Sequence, residues 1–171
     1  IMHPGWPGAG EFDLIAVPGH DGIAGNNILN LTGAPHRVTE DSLESARIAW
    51  KQRIADCRTP VVGLLLGGAT RQKKFTEEDA IRLGGHVGGL VDAAGGSLLF
   101  TASPRTGDLV DVAADAAERA GTTPSMVYRW SADSENPYLG ILALADILVV
   151  TGDSVSMCSE ACAAGQAVYI Y

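Results

Sequence analysis

Residues 136–171 read NPYLGILALADILVVTGDSVSMCSEACAAGQAVYIY, and this stretch decides the fold. Its pattern is helix, strand, loop, helix, strand. Ile147-Leu148-Val149-Val150 is short, apolar and β-branched at three of four positions, the pattern of a strand buried on both faces of a parallel sheet. It closes in Thr151-Gly152-Asp153-Ser154, and a helical pattern begins at once. The carboxyl end of that strand therefore meets the amino end of a helix, where unpaired N–H groups and the helix dipole favour an anion. Glu160 lies one to two turns into this helix, within reach of a sugar hydroxyl if phosphate sits at the helix start. Gly165 stops the helix, and Ala167 to Tyr171 returns as the next strand.

Working outward, Val61 to Leu66 is a buried strand that ends in Gly67-Gly68-Ala69-Thr70. A helix follows from Thr76, capped by Thr76 with Asp79 in the capping-box position. Its glycines, Gly84, Gly85, Gly88 and Gly89, each cost about 1 kcal/mol against alanine in a helix interior, so close packing against a neighbour is expected to offset them. Ser97 to Thr101 is the next strand and leads into Ala102-Ser103-Pro104-Arg105-Thr106. A helix spans 107–120, and Met126 to Trp130 is a short strand. Strands alternating with helices call for an α/β fold, a Rossmann-like parallel sheet with right-handed crossovers.

The first ten residues are turn chemistry, with two prolines and three glycines. Phe12 to Val17 reads as a strand closed by Pro18-Gly19, with His20-Asp21 at its carboxyl end, and Ile28 to Leu31 as a second apolar segment. Thr39 or Asp41 caps a helix running to about Cys57. The expected division is the end of a preceding α/β domain at 1–38, a connecting helix at 39–59, and a truncated nucleotide-binding Rossmann-like domain at 60–171. Ile1 is not an initiator and Tyr171 falls within or just after a strand, so the chain reads as a piece of a longer protein.

Composition narrows the function. Apolar residues make up 46 % and charged residues 19 %, an ordinary globular balance. The net charge of −8 argues against a sequence-independent grip on nucleic acid, which needs a basic face. Three cysteines form no disulfide framework and suit a reducing, cytoplasmic setting. Asp146 divides the longest apolar run, so no transmembrane segment is expected.

Four loops occupy the carboxyl edge, where open parallel sheets bind ligands. Gly67 and Gly68 permit close backbone approach, and Thr70, Arg71, Lys73 and Lys74 follow as donors; a plain glycine turn with solvated charges is the competing reading. Ser103 and Arg105 follow the next strand, and arginine can grip phosphate bidentately. Trp130 reads either as a core residue or as a platform beside a base. Ser154 is an ordinary N-cap and Ser156 a further donor; Asp153 repels phosphate and is expected to fix the loop. Cys158 and Cys162, four apart, read as small hydrophobes rather than a metal pair. His20 and Asp21 are the histidine–carboxylate pair suited to general acid–base work. No metal or resident cofactor is expected.

Gly67-Gly68, the stretch from Thr101 to Thr106, and above all residues 136–171 resemble the plant mitochondrial fission factor (elongated-mitochondria) family, whose bacterial members carry nucleoside-diphosphate-sugar epimerase labels. FDLIAVPGHDG and NILNLTGAPHRVT resemble its earlier segment. This family is in turn similar to the two-domain GT-B glycosyltransferases and non-hydrolysing sugar epimerases. That resemblance implies a ribose role for Glu160, phosphate roles for Gly68, Arg105, Ser154 and Ser156, and an opposing cleft wall bearing His20 and Asp21. The reading it favours is a nucleotide-sugar-binding enzyme of GT-B type, a glycosyltransferase or sugar epimerase acting at an interdomain cleft. Its partner is a nucleotide-sugar small molecule, with homo-oligomerisation left open. The alternative is a non-catalytic interaction protein that recruits partners to a membrane surface. A dinucleotide-dependent oxidoreductase ranks below both, since GxGxxG is missing.

Overall fold

Strands this apolar must be covered, and the two longest, at 61–66 and 97–102, are buried at every position. A computed structural model describes residues 8–68 and 75–171. Strands β1 (Ile15–Pro18) and β2 (Ile28–Leu31) pair in parallel as a small separate sheet. The main sheet holds β3 (Val61–Leu66), β4 (Ser97–Ala102), β5 (Met126–Tyr128), β6 (Ile147–Val150) and β7 (Ala167–Ile170), all parallel, in the order β5-β4-β3-β6-β7. β3 and β4 are buried at every position. Helices α2 (Glu77–Ala94) and α3 (Leu109–Arg119) cover one face, over Leu64, Leu66, Leu98 and Phe100. Helices α1 (Glu40–Trp50), α4 (Tyr138–Leu144) and α5 (Val155–Ala163) cover the other, over Leu65, Leu99, Leu148 and Val150. The period-2 alternation of each strand thus divides one apolar run between two cores.

Local signals place most boundaries. Thr39 caps α1 and Thr76 caps α2, each in a reciprocal capping box, with Ser42 and Asp79 as the respective partners. Replacing Thr76 by alanine removes the acceptor for the Asp79 N–H and is expected to cost about 1 kcal/mol in chemical denaturation. An unchanged midpoint would show that the box contributes nothing. Asp146, which interrupts the apolar run, accepts from the Val61 N–H at 2.7 Å and so ties the start of β6 to the start of β3. No helix among the described residues is long and apolar enough to cross a membrane.

Two expectations change in three dimensions. β6 is not buried on both faces: Leu148 and Val150 are buried, but Ile147 and Val149 are only partly so. α2 and α3 lie over β3 and β4, so one face of β6 and β7 opens into a groove of about 380 Å³ lined by Val62, Leu83, Val87, Ile147, Val149 and Tyr169. Trp130 is not a core residue; β5 ends at Tyr128 and the indole is 47 % exposed. Within the connecting helix, Leu43, Ala46 and Trp50 of α1 are buried, and Trp50 packs against Gly140 of α4.

The glycines of α2 separate by face. A Cβ at Gly84 would meet the Ala113 carbonyl oxygen at 2.1 Å, and one at Gly88 would meet Ala117 Cα at 2.6 Å. Gly89 has nothing within 4 Å, and the nearest atom to Gly85 is 4.0 Å away. Gly84 and Gly88, one turn apart, are the points at which α2 and α3 come into backbone contact.

Candidate functional site

The strand order reverses between β3 and β6: from β3 the chain adds β4 and β5 on one side, then crosses to add β6 and β7 on the other. An open parallel sheet forms its ligand crevice outside the carboxyl ends of the two strands that flank such a reversal. Here those ends carry Gly67-Gly68 and Thr151-Gly152-Asp153-Ser154. β4, beside β3, adds Ser103 and Arg105 to the same edge.

These loops are bonded to one another. The Gly67 N–H donates to Thr151 Oγ1 at 2.8 Å, and the Gly68 N–H donates to Asp153 Oδ2 at 2.7 Å. The Ser103 hydroxyl donates to the Gly67 carbonyl, and the Thr106 hydroxyl lies against the Leu66 and Gly67 carbonyls. A Cβ on Gly67 would overlap the Asp153 carboxylate at 2.3 Å, and one on Gly68 would overlap Arg105 at 2.5 Å. Gly67 and Gly68 therefore serve close approach of chain to chain, and both their N–H groups are engaged within the protein. Asp153 Oδ1 is buried with no hydrogen-bond partner among the described residues, an acceptor that desolvation leaves wanting a donor.

At the start of α5, Ser154 is buried and its Oγ caps the Met157 N–H at 3.5 Å. Ser156 is exposed in the first turn. The N–H groups of Val155 and Ser156 precede any intrahelical acceptor, so they are the donors this helix start presents. Glu160, a turn and a half further on, accepts from the Tyr138 hydroxyl at 2.6 Å. Tyr138 opens α4, with its N–H bonded to Asn136 Oδ1 at 2.9 Å. Burial first, then the Glu160 bond and charge, push the Tyr138 phenol well above its ordinary pKa, so it remains a proton donor at any working pH.

The edge extends to Trp130, which with Ser103, Pro104, Asp108, Asp111 and Arg129 lines a hollow of about 170 Å³. Arg129 is tied to Asp111 through both its Nε and a terminal nitrogen, and this pairing raises the pKa of the guanidinium.

The structure thus brings Gly67, Gly68, Ser103, Arg105, Asp153, Ser154, Ser156 and Glu160 to one edge. Thr70, with Arg71, Lys73 and Lys74, lies outside the described residues. His20 and Asp21 stand apart, in a short 3-10 turn after β1; His20 Nε2 is 3.6 Å from Asp21 Oδ1, and both side chains are accessible. Among the described residues, no hydrogen bond joins them to the main edge. The segment after β2 does reach α5, however: the Ala34 N–H donates to Ser159 Oγ at 2.8 Å, and Gly33 packs on the same hydroxyl. Sequence reasoning places Thr106 and Thr151 in the edge loops but assigns no role to them or to Tyr138. A threonine just past a buried strand is the signal that marks Thr151; nothing local pairs Tyr138 with Glu160.

Fold and site define a Rossmann-like parallel α/β domain with its candidate crevice at the reversal of strand order. The chain belongs to the Mitochondrial fission ELM1 family, which it matches over residues 1–171. It is similar to Mitochondrial fission protein ELM1 of Arabidopsis thaliana, 33% identical over 145 residues that cover 85% of this chain and 33% of that protein. It is also similar to Uncharacterized protein RP120 of Rickettsia prowazekii (strain Madrid E), 31% identical over 110 residues, 63% of this chain and 30% of that protein. The chain spans about a third of the length of these relatives. Among solved structures, the crystal structure of the POFUT1 apo-form (crystal-form-I) is similar with a TM-score of 0.45 and 14% identity, over 79% of this chain and 47% of that one.

Proposed function

We propose that this chain is the nucleotide-holding part of a GT-B-type protein that binds a nucleoside diphosphate sugar. The observation that carries this reading is the placement of the α5 start, with Glu160 behind it, on the β6 side of the strand-order reversal. Diphosphate would take the Val155 and Ser156 N–H groups, the Ser156 hydroxyl and the exposed Arg105 guanidinium, and ribose the Glu160 carboxylate. Gly67, Gly68, Ser103, Ser154 and Asp153 would shape the loop rather than donate, because their polar groups are spent on one another or on the cap. The sugar would lie toward the small sheet. As an enzyme, a glycosyltransferase or epimerase, the protein would use His20, beside Asp21, as its base. The three cysteines, none in a disulfide, fit a reducing cytoplasm.

A second reading has its own support. Asp153 occupies the N–H of Gly68 and sets a negative charge at the mouth of the crevice, which a diphosphate site has to overcome. A family member that keeps the fold and works by recruiting partners, as the name of the Arabidopsis relative suggests, needs no such site. Calorimetric titration with UDP, GDP and their sugar conjugates separates the two. Heat of binding with any of them supports the nucleotide reading; silence with all of them removes it in favour of the interaction protein.

A further inference from the structure

Glu160 is a flexible carboxylate on the second turn of α5, and a side chain free to sample its rotamers must give up that freedom when it grips a ligand. Here the freedom is already gone. The Tyr138 hydroxyl holds Glu160 Oε2 at 2.6 Å across 22 residues of sequence, bridging the first residue of α4 to α5. Tyr138 is partly buried and its backbone is fixed in turn by Asn136 through the bond to its N–H. No other hydrogen bond or ion pair to Glu160 is present among the described residues, so Oε1 is the oxygen left over. The upward shift of the phenol pKa keeps the donor intact.

We propose that Tyr138 is a positioning residue for the candidate nucleotide site, anchoring one oxygen of the Glu160 carboxylate so that the other is pre-set to accept from a ribose hydroxyl. This rests on the nucleotide reading above and adds the specificity element: discrimination of ribose from a sugar lacking its hydroxyls. Two features make a merely structural role insufficient. A phenylalanine fills the same volume, so packing alone does not call for the hydroxyl. The bond also joins a carboxylate on the ligand edge rather than a carbonyl of the core.

The test compares UDP and GDP with their 2′,3′-dideoxy forms by calorimetry, on the whole chain and on Tyr138→Phe. A hydrogen bond to a charged carboxylate is worth enough that the unaltered protein should prefer the ribonucleotide by about tenfold or more. In Tyr138→Phe that preference should fall to about threefold or less, with affinity for the dideoxy form unchanged and thermal unfolding close to that of the parent. A variant that retains the full ribose preference overturns the role of Tyr138 while leaving the nucleotide site standing. Equal binding of both forms by the unaltered protein overturns the ribose contact itself. Absence of binding by every nucleotide takes down both this inference and the reading beneath it.

Discussion

Replacing Gly84 by alanine is expected to lower the thermal unfolding midpoint by about 4–8 °C, a loss of about 2 kcal/mol for a chain of this size. The new methyl group would lie 2.1 Å from the Ala113 carbonyl oxygen and under 3 Å from its carbon and Cα. That neighbour is backbone, buried between two helices, and no rotamer change relieves it. The helices must separate, and overpacking of this kind costs about 3 kcal/mol at the upper end of its usual range. The gain in helix propensity, about 1 kcal/mol, offsets only part of this. Gly89→Ala is the internal control. It meets nothing within 4 Å, so the propensity term stands alone and the variant should be more stable by up to about 1 kcal/mol. Shifts of the same sign and size in the two variants would mean that the α2–α3 contact does not exert the constraint assigned to it.

Glu160→Ala should produce the largest functional loss. On the nucleotide reading, the change removes the carboxylate that faces ribose and leaves the Tyr138 hydroxyl without its acceptor. Loss of a charge-assisted hydrogen bond corresponds to about 1.5–3 kcal/mol, or an increase in Kd of about ten- to a hundredfold. The measurement is the Kd for UDP or GDP. The stability effect is expected to be smaller, since Glu160 is only partly buried. An unchanged Kd would take Glu160 out of the site and leave Arg105 and the α5 start to account for any binding.

Much of the architecture was legible in the chain because it is written in local terms. The capping threonines Thr39 and Thr76 meet their partners three residues on, and the runs at Val61–Leu66 and Ile28–Leu31 coincide with β3 and β2. The apolar pattern starts the first strand at Phe12, three residues early, because Asp13 and Leu14 are exposed and only from Ile15 does the chain pair with β2. The split among the α2 glycines could not be read, because Gly84 and Gly85 are adjacent and equivalent in sequence; only the direction from which α3 approaches distinguishes them.

By itself, the sequence determined the strand–helix alternation, the parallel α/β class and the set of polar loops along one edge. Each follows from hydrophobic periodicity, caps and turn residues that act within a few positions of one another. The tertiary structure alone decided which donors at that edge are already taken, that Thr151 serves Gly67 from 84 residues away, and that Tyr138 holds Glu160. It also decided that β6 is covered on one face rather than two. These depend on strand order and on the crossing of separate helices, and no local pattern of residues encodes which distant group a hydrogen bond will reach.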